Sequence, residues 1–427
     1  MHILTVFDFI PVPGADASLK HGYRKEGVYP AFIRAHSREN TTAAAISLSA
    51  HKENPKEILG FCRENGVHFV QPRETSIARR IDIAARYIYA LPKSLLMMYD
   101  RKRDWVRFII RYSRTLANVE EYFKSHGKPS LVSALTSMGL SGRIAFLVGR
   151  RHQIPFVTRE NRTYYTSGEV TGNLKKVLKT VAEHADAILP VSPQLGENIQ
   201  KVLSLEAKRT MPLQNSVADE FFNPPERFPD WIRDFSGERF IFGGWTNWRN
   251  IKRPDLALEA FAALHKRNRK TCLIMAGPMP GLQEKRIETL GVKGAVLTPG
   301  SLGREAIHEL AHAVNCCIVP SDHDPGNNSV LEAMAAGKPI VVTRCGGSES
   351  RITSPTLGRI VDIGDLNGFS SAMEDVLNHY DSFDPETIIK ECRRLYSEKA
   401  FSDTLFAVYQ DVLEMSQTAC TIQANGN

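Results

Sequence analysis

Cys316-Cys-Ile-Val-Pro-Ser-Asp-His-Asp-Pro-Gly-Asn-Asn-Ser-Val-Leu-Glu-Ala-Met-Ala-Ala-Gly-Lys-Pro-Ile-Val-Val342 is the stretch from which the fold is read. Its first residues, Cys316–Val319, form an uncharged apolar run with the length of a buried parallel strand. A loop of Asp, Pro, Gly and Asn follows, the residue types that turn a chain after a strand. A helix is expected from Asn327 or Asn328, both good N-caps, and Gly337-Lys338-Pro339 is expected to end it before the next strand, Ile340–Val342. The amides at such a helix start lack acceptors, and the positive end of the helix dipole lies behind them. Gly326, Asn327, Asn328 and Ser329 therefore outline a site for an anion such as a diphosphate. Asp324 just before the helix and Glu332 on its first turns add two carboxylates, suited to the hydroxyls of ribose and hexose.

Outward from this unit, strand-length apolar runs alternate with amphipathic helix-length segments along the chain. In the first half the strands are expected near His2–Phe7, Ala43–Leu48, Val67–Val70, Leu131–Ala134, Pro155–Thr158, Ala187–Val191 and Met211–Leu213. In the second half they are expected near Arg239–Phe242, Thr271–Met275, Ala295–Leu297, Cys316–Val319, Pro339–Val342 and Arg359–Val361. This alternation is that of βαβ units, so the fold class is α/β with doubly wound parallel sheets. A length of 427 residues calls for two such domains. The three prolines of Asn223-Pro-Pro-Glu-Arg-Phe-Pro-Asp-Trp put the boundary there. The expected ranges are 1–222, 237–400, and 401–427 as a C-terminal helix packing back on the N-terminal domain with a frayed tail. Ligands of open α/β sheets bind beyond the carboxyl ends of the strands, so two facing domains are expected to make a cleft for small molecules.

Composition narrows the class. Hydrophobic residues make up 42% and charged residues 24%, ordinary globular values that exclude disordered and fibrous chains. No uncharged apolar run reaches the ~20 residues of a membrane-spanning helix. Met1 to Pro11 has neither the basic start nor the cleavage site of a signal peptide, and reads as a first core strand. The cysteines (Cys62, Cys272, Cys316, Cys317, Cys345, Cys392, Cys420) form neither a CxxC pair nor a metal-ligand spacing, which fits free thiols in a reducing cytosol. The formal net charge is +7, and between Pro72 and Arg114 eleven Lys/Arg face four Asp/Glu. That stretch also carries Tyr87, Tyr89, Leu95, Leu96, Met97, Met98, Trp105, Phe108, Ile109 and Ile110. An amphipathic face meeting an anionic membrane surface and a solvated face over an ordinary core both fit it. No recognition motif accompanies the charge, so nucleic acid is not an expected partner.

The motifs resemble those of the family 4 retaining glycosyltransferases, which have the GT-B fold. That family's signature is an acidic residue, seven intervening residues and a glutamate followed by Ala-Met-Ala, Gly and Pro, and Asp324 to Pro339 has this order with Asp in the first place. Ile241-Phe-Gly-Gly-Trp-Thr-Asn-Trp-Arg-Asn-Ile-Lys252 is similar to the family's first strand and phosphate loop of the C-terminal domain. Arg344-Cys-Gly-Gly-Ser-Glu349 is similar to its glycine pair and acidic residue. The N-terminal domain matches less closely: Leu213-Gln-Asn-Ser-Val-Ala-Asp-Glu-Phe-Phe has Ser216 and Ala218 where the family has Gly and Asp. Glu160-Asn161 stands where many relatives have Glu-His, and the first loop, 10–16, offers one glycine rather than a pair.

The resemblance implies a metal-independent enzyme moving a sugar from a nucleoside-diphosphate sugar to a glycan or lipid-linked acceptor, with no cofactor besides the donor. Asp324 and Lys252 are its implied catalytic residues; the family's arginine five positions before the lysine is Asn247 here, so Arg249 is the candidate for the second cation. Glu332 would hold the nucleotide ribose, with Gly326, Asn327, Asn328, Ser329, Gly244, Gly277, Gly346 and Gly347 lining the donor. Glu160, Asn161 and His323 fall on the acceptor side. His21, His36 and His152 are weaker candidates, and Asp322-His-Asp324 resembles a metal-binding DxD without its usual placement. A cytoplasmic enzyme, peripheral on the inner face of the membrane, is the expected setting. A non-catalytic sugar-nucleotide or membrane-binding relative, and a GT-B phosphorylase or epimerase, remain compatible with the same motifs.

Overall fold

The structure is a computed structural model that describes all residues except 8–27, 37–40, 49–54, 72, 94–98, 136–137, 206–209, 280–282 and 426–427. The expected first loop, His21 and the apolar residues 95–98 lie outside the described residues.

Two parallel sheets of six strands organise the chain. The first contains β1 (His2–Phe7), β2 (Thr42–Ser47), β3 (Val67–Phe69), β4 (Leu131–Ala134), β5 (Phe156–Glu160) and β6 (Ala187–Pro190) in the order β3-β2-β1-β4-β5-β6. The second contains β7 (Phe240–Trp245), β8 (Thr271–Ala276), β9 (Val296–Gly300), β10 (Cys316–Val319), β11 (Ile340–Thr343) and β12 (Gly358–Val361) in the order β12-β11-β10-β7-β8-β9. Each sheet thus grows one way from its first strand and then reverses beside it, the doubly wound pattern. The switch point falls between β1 and β4 in one sheet and between β7 and β10 in the other.

The strands form where expected because their side chains are buried on both faces, which only near-continuous apolar runs tolerate. All residues of β4, β8, β10 and β11 are buried. Met211–Leu213 is the exception. Met211 and Leu213 donate to the carbonyls of Ile188 and Pro190 at 2.9 and 2.8 Å, but only an isolated bridge at Thr210 results. Pro212 has no N–H to extend the ladder.

One compact unit comprises Tyr29–Leu213 with β1 and the stretch from Ser402; the other comprises Gln214–Phe401. The core of the second unit takes in Val217, Phe221, Phe222 and Ile232, which flank the three prolines. In the first unit, the final helix, Glu398–Asn425, brings Tyr409 to β4, where its hydroxyl donates to Ser133 at 2.8 Å. His36 lies in this core beside Tyr409 and Thr5. His152 is held by Glu120 at 2.9 Å.

The basic stretch 72–114 sorts by helical period. In the helices Ile77–Tyr89 and Tyr99–Arg111, Tyr87, Trp105, Phe108 and Ile109 enter the core. Tyr89 and Ile110 face outward, 91% and 54% exposed, as do Ile77 at 75% and Ile81 at 65%. Among the described residues no helix is long and apolar enough to cross a membrane. Six of the cysteines are buried free thiols; the side chain of Cys420 is not among those described.

Candidate functional site

The second unit gathers most of the expected residues at one place, the carboxyl edge of β7 and β10. β7 runs into a loop that ends in the single helical turn Asn250–Lys252 and then the helix Pro254–Arg267. β10 runs into the loop 320–327 and the helix Asn328–Ala335, with Asn327 as N-cap. The loops are tied together at the backbone, since Asp322 donates to Ile251 O at 2.9 Å and Asp324 to Cys345 O at 2.8 Å. Because β7 and β10 flank the switch point, their loops diverge to opposite faces and leave a crevice between them.

Lys252 and Asp324 meet there in an ion pair whose side chains are only 13% and 19% exposed. Turned so that its nitrogen faces acceptors, the amide of Asn327 donates to the Asp324 carboxylate at 3.0 Å. Asn215 donates to Gly326 O at 3.0 Å and to Asn328 Oδ1 at 2.5 Å, which pins the start of the helix from its flank. The first-turn amides of Asn328 and Ser329 have no acceptor within their own helix. With Trp245, Thr246 and Ser321, the residues Lys252, Asp324 and Ser329 line a small recess.

Glu332 lies one turn further on, partly buried. The indole Nε1 of Trp245 donates to its carboxylate at 2.5 Å. Burial pushes the Glu332 carboxyl up to about 7, against the Trp245 hydrogen bond and the charge of Arg304, which favour the ionised form. Arg304 itself pairs with Glu220 at 2.5 Å.

Two glycines are required by packing. A Cβ on Gly277, where φ is +119°, would lie 1.8 Å from Thr246 O. One on Gly347 would lie 2.6 and 2.7 Å from the carbonyl oxygens of Pro325 and Asp324. Both let neighbouring loops close on the crevice. A Cβ on Gly244 would lie 3.0 Å from the Trp248 ring, while the Cβ direction of Gly346 is open.

Arg249 and His323 stand apart from this cluster. Arg249 is exposed, with no side-chain hydrogen bond or ion pair among the described residues. His323 lines a neighbouring depression with Asn250, Ile251, Arg253 and Asp322. The two aspartates of Asp322-His-Asp324 are engaged separately, Asp322 by Arg253 at 3.1 Å and Asp324 by Lys252. Arg253 adopts the left-handed backbone at φ +51° and also holds Asp255 at 2.9 Å.

Glu160 belongs to the first unit and is fully buried. Its carboxylate accepts from the backbone N–H of Met138 at 3.3 Å, of Asn161 and Arg162 at 2.9 Å each, and from Tyr164 Oη at 2.8 Å. Burial raises its pKa against these donors. So many partners make Glu160 the anchor of the turn after β5; the side chain of Asn161 next to it is partly exposed.

Trp245, Asn215, Arg304 and Arg351 were not read as site residues from the sequence. Asn215 lay inside a recognised motif and Trp245 inside the phosphate loop, so a signal existed for both. For Arg304 and Arg351 none did, because their relation to Glu332 and Asn327 exists only in the folded chain.

The second unit is thus a doubly wound sheet with a helix start, a lysine and two carboxylates gathered at its switch point. Residues 237–379 match the family described as glycosyl transferases group 1. Similar over its whole length are the sucrose-phosphate synthase of Thermosynechococcus elongatus (TM-score 0.68, 16% identity, 97% of this chain and 100% of that one) and Anabaena HepE in complex with UDP (0.66, 13%, 96% and 100%). The second unit belongs to the group 1 glycosyl transferases, and the chain has the GT-B fold. A D-inositol 3-phosphate glycosyltransferase of Frankia alni is 26% identical over 56% of this chain and 63% of its own length. The lipopolysaccharide core biosynthesis glycosyltransferase LpsE of Rhizobium meliloti is 35% identical over 21% and 25%. The chain thus spans less than two thirds of either relative.

Proposed function

We propose that this chain is a retaining, metal-independent glycosyltransferase that moves a sugar from a nucleoside-diphosphate sugar to a hydroxyl of a lipid-linked or polysaccharide acceptor. The observation that carries this is the Lys252–Asp324 pair at the start of the helix Asn328–Ala335, with Glu332 one turn beyond. Lys252, joined by Arg249 once a donor is bound, neutralises the charge that develops on the departing diphosphate together with the amides of Asn328 and Ser329. Glu332 accepts hydrogen bonds from the ribose, and Asp324 sits by the transferred sugar. The bond from the anomeric carbon to the diphosphate oxygen breaks as the acceptor oxygen bonds on the same face, through an oxocarbenium-like state. The acceptor is handled by the first unit, with Asn161 the accessible member of the pair after β5 and Glu160 fixing its turn. His323, next to Asp324 in the chain, is a further candidate for acceptor binding.

An anionic membrane surface at 72–114 belongs to the same proposal, in a cytoplasmic setting on the inner face of the membrane. Ile77, Ile81, Tyr89 and Ile110 offer an apolar exposed face. Arg73, Lys93, Lys102, Arg103, Arg107 and Arg111 are exposed around it.

The test is calorimetric titration with UDP, GDP and their sugars, followed by NMR detection of transfer to lipid and glycan fractions. Micromolar binding with transfer and retained anomeric configuration is the expected outcome. Absence of binding by every nucleoside diphosphate would remove the proposal. Binding without turnover on any acceptor would instead make the chain a sugar-nucleotide-binding relative.

A further inference from the structure

We infer that Arg351 is a positioning residue for the diphosphate: it holds the Asp324–Asn328 loop in its anion-receiving form and sets the loop's positive charge from beneath. This rests on the proposed nucleotide-sugar donor and deepens it.

Arg351 is 1% exposed and among the largest fully buried side chains of the described residues. Its Nη1 donates at 3.2 Å to the carbonyl oxygen of Asn327, the N-cap of the helix Asn328–Ala335. Its Nε and Nη2 are buried with no hydrogen-bond partner. Among the described residues no carboxylate pairs with it: Asp324, whose charge it feels, is already engaged by Lys252 and Asn327. The other groups near enough to feel it are Tyr396, Cys345 and Cys392. The Tyr396 hydroxyl is spent on Ser350 O at 3.0 Å, and the Cys392 thiol on Leu331 O at 3.5 Å.

A fully buried position with two thiols and a phenol in its surroundings would by packing alone take a leucine or methionine. A guanidinium with two idle nitrogens is retained there against a desolvation penalty that pairing does not relieve. What it does achieve is specific to the loop. With Lys252 offsetting Asp324 and Arg253 shared between Asp322 and Asp255, the charge of Arg351 adds positive potential beneath the loop, on top of the helix dipole. Its bond to the Asn327 carbonyl also fixes the peptide that aims the Asn328 amide outward. An incoming diphosphate then meets a preset cation that never has to contact it.

The experiment compares the affinity for UDP or GDP, whichever the wild type binds, with that for the matching uncharged nucleoside, measured by ligand-observed NMR competition. Arg351→Met is expected to raise the Kd of the diphosphate about tenfold while the nucleoside stays within about twofold, the mark of a lost charge rather than a lost fold. Arg351→Lys is expected to restore most of the diphosphate affinity. Unchanged diphosphate binding in Arg351→Met, or an equal loss for both ligands, overturns the inference while wild-type binding leaves the donor proposal standing. If Arg351→Met does not fold, Cys392→Asp takes its place, because a carboxylate there neutralises the guanidinium from within. It is expected to weaken the diphosphate selectively, and wild-type selectivity in that variant overturns the inference equally.

Discussion

Lys252 and Asp324, 72 positions apart, form an ion pair at the switch point of the second sheet. Each closes a loop that leaves a different strand, so the pair is a clasp between the ends of β7 and β10. Under the proposed function, a nucleoside diphosphate that takes the ammonium would compete with Asp324, tying anion binding to release of that carboxylate. Substitution of Lys252 by Ala is expected to lower turnover by about 100-fold or more, the usual effect of removing one preorganised charge from a transition state. The melting temperature should fall as well, because removing the cation leaves the largely buried Asp324 carboxylate without its ion-pair partner. Steady-state kinetics beside a thermal melt checks both, and an unchanged rate would sink the assignment.

If Glu332 holds the ribose as proposed, donor binding is expected to depend on pH. With its carboxyl raised to about 7, it is ionised above that pH and protonated below it. Ribose hydroxyls donate to the ionised form, so diphosphate affinity is expected to rise between pH 6 and 8, by a few-fold up to about tenfold, beyond the effect of phosphate ionisation itself. A Glu332→Gln variant should bind more weakly and lose that extra pH slope. Titration calorimetry across this range decides it: identical slopes in the two proteins would remove Glu332 from the ribose.

Acid stability of the first unit should hinge on Glu120. Burial alone would push its carboxyl up, but hydrogen bonds from His152 and Arg151, each 2.9 Å long, outweigh it and hold the carboxyl at about 2. A lowered carboxylate pKa contributes stability that is fully present above the unfolded value of 4.5 and is lost as pH falls toward 2. The contribution is on the order of 3 kcal/mol at neutral pH. A Glu120→Gln variant is therefore expected to melt lower than wild type at pH 7, with the gap narrowing below pH 4.5 and closing only as the pH approaches about 2. Parallel melting curves over the whole range would contradict this.

The exposed apolar face gives a surface prediction. Replacing Ile77, Ile81 and Tyr89 together by Ser should reduce sedimentation with phosphatidylglycerol vesicles several-fold. Stability should be unaffected, since these side chains are 75%, 65% and 91% exposed. Wild-type binding should fall with salt, and equal sedimentation of both proteins would exclude this face from the membrane.

The fold was legible because a strand buried on both faces has to be a short apolar run, and nearly every such run became a strand. Met211–Leu213 misled because its central residue is a proline, which accepts a hydrogen bond but donates none. The donor loop was legible for a similar local reason: Asp324, Asn327, Asn328 and Glu332 lie within one loop and helix, so spacing alone brings them near one another. The aromatic stretch 72–114 could not be sorted by composition, since core and surface residues alternate there at helical period.

The sequence by itself determined the two doubly wound sheets and the helix start at Asn328, because strand burial and helix capping depend on neighbours a few positions away. Only the tertiary structure decided which distant groups complete the site. Lys252 finds Asp324, Trp245 finds Glu332, and Arg351 reaches the Asn327 carbonyl because parallel winding returns separate loops to one edge of a sheet. No residue pattern along the chain encodes those meetings, since each depends on strand order, and strand order is fixed by the packing of the whole unit.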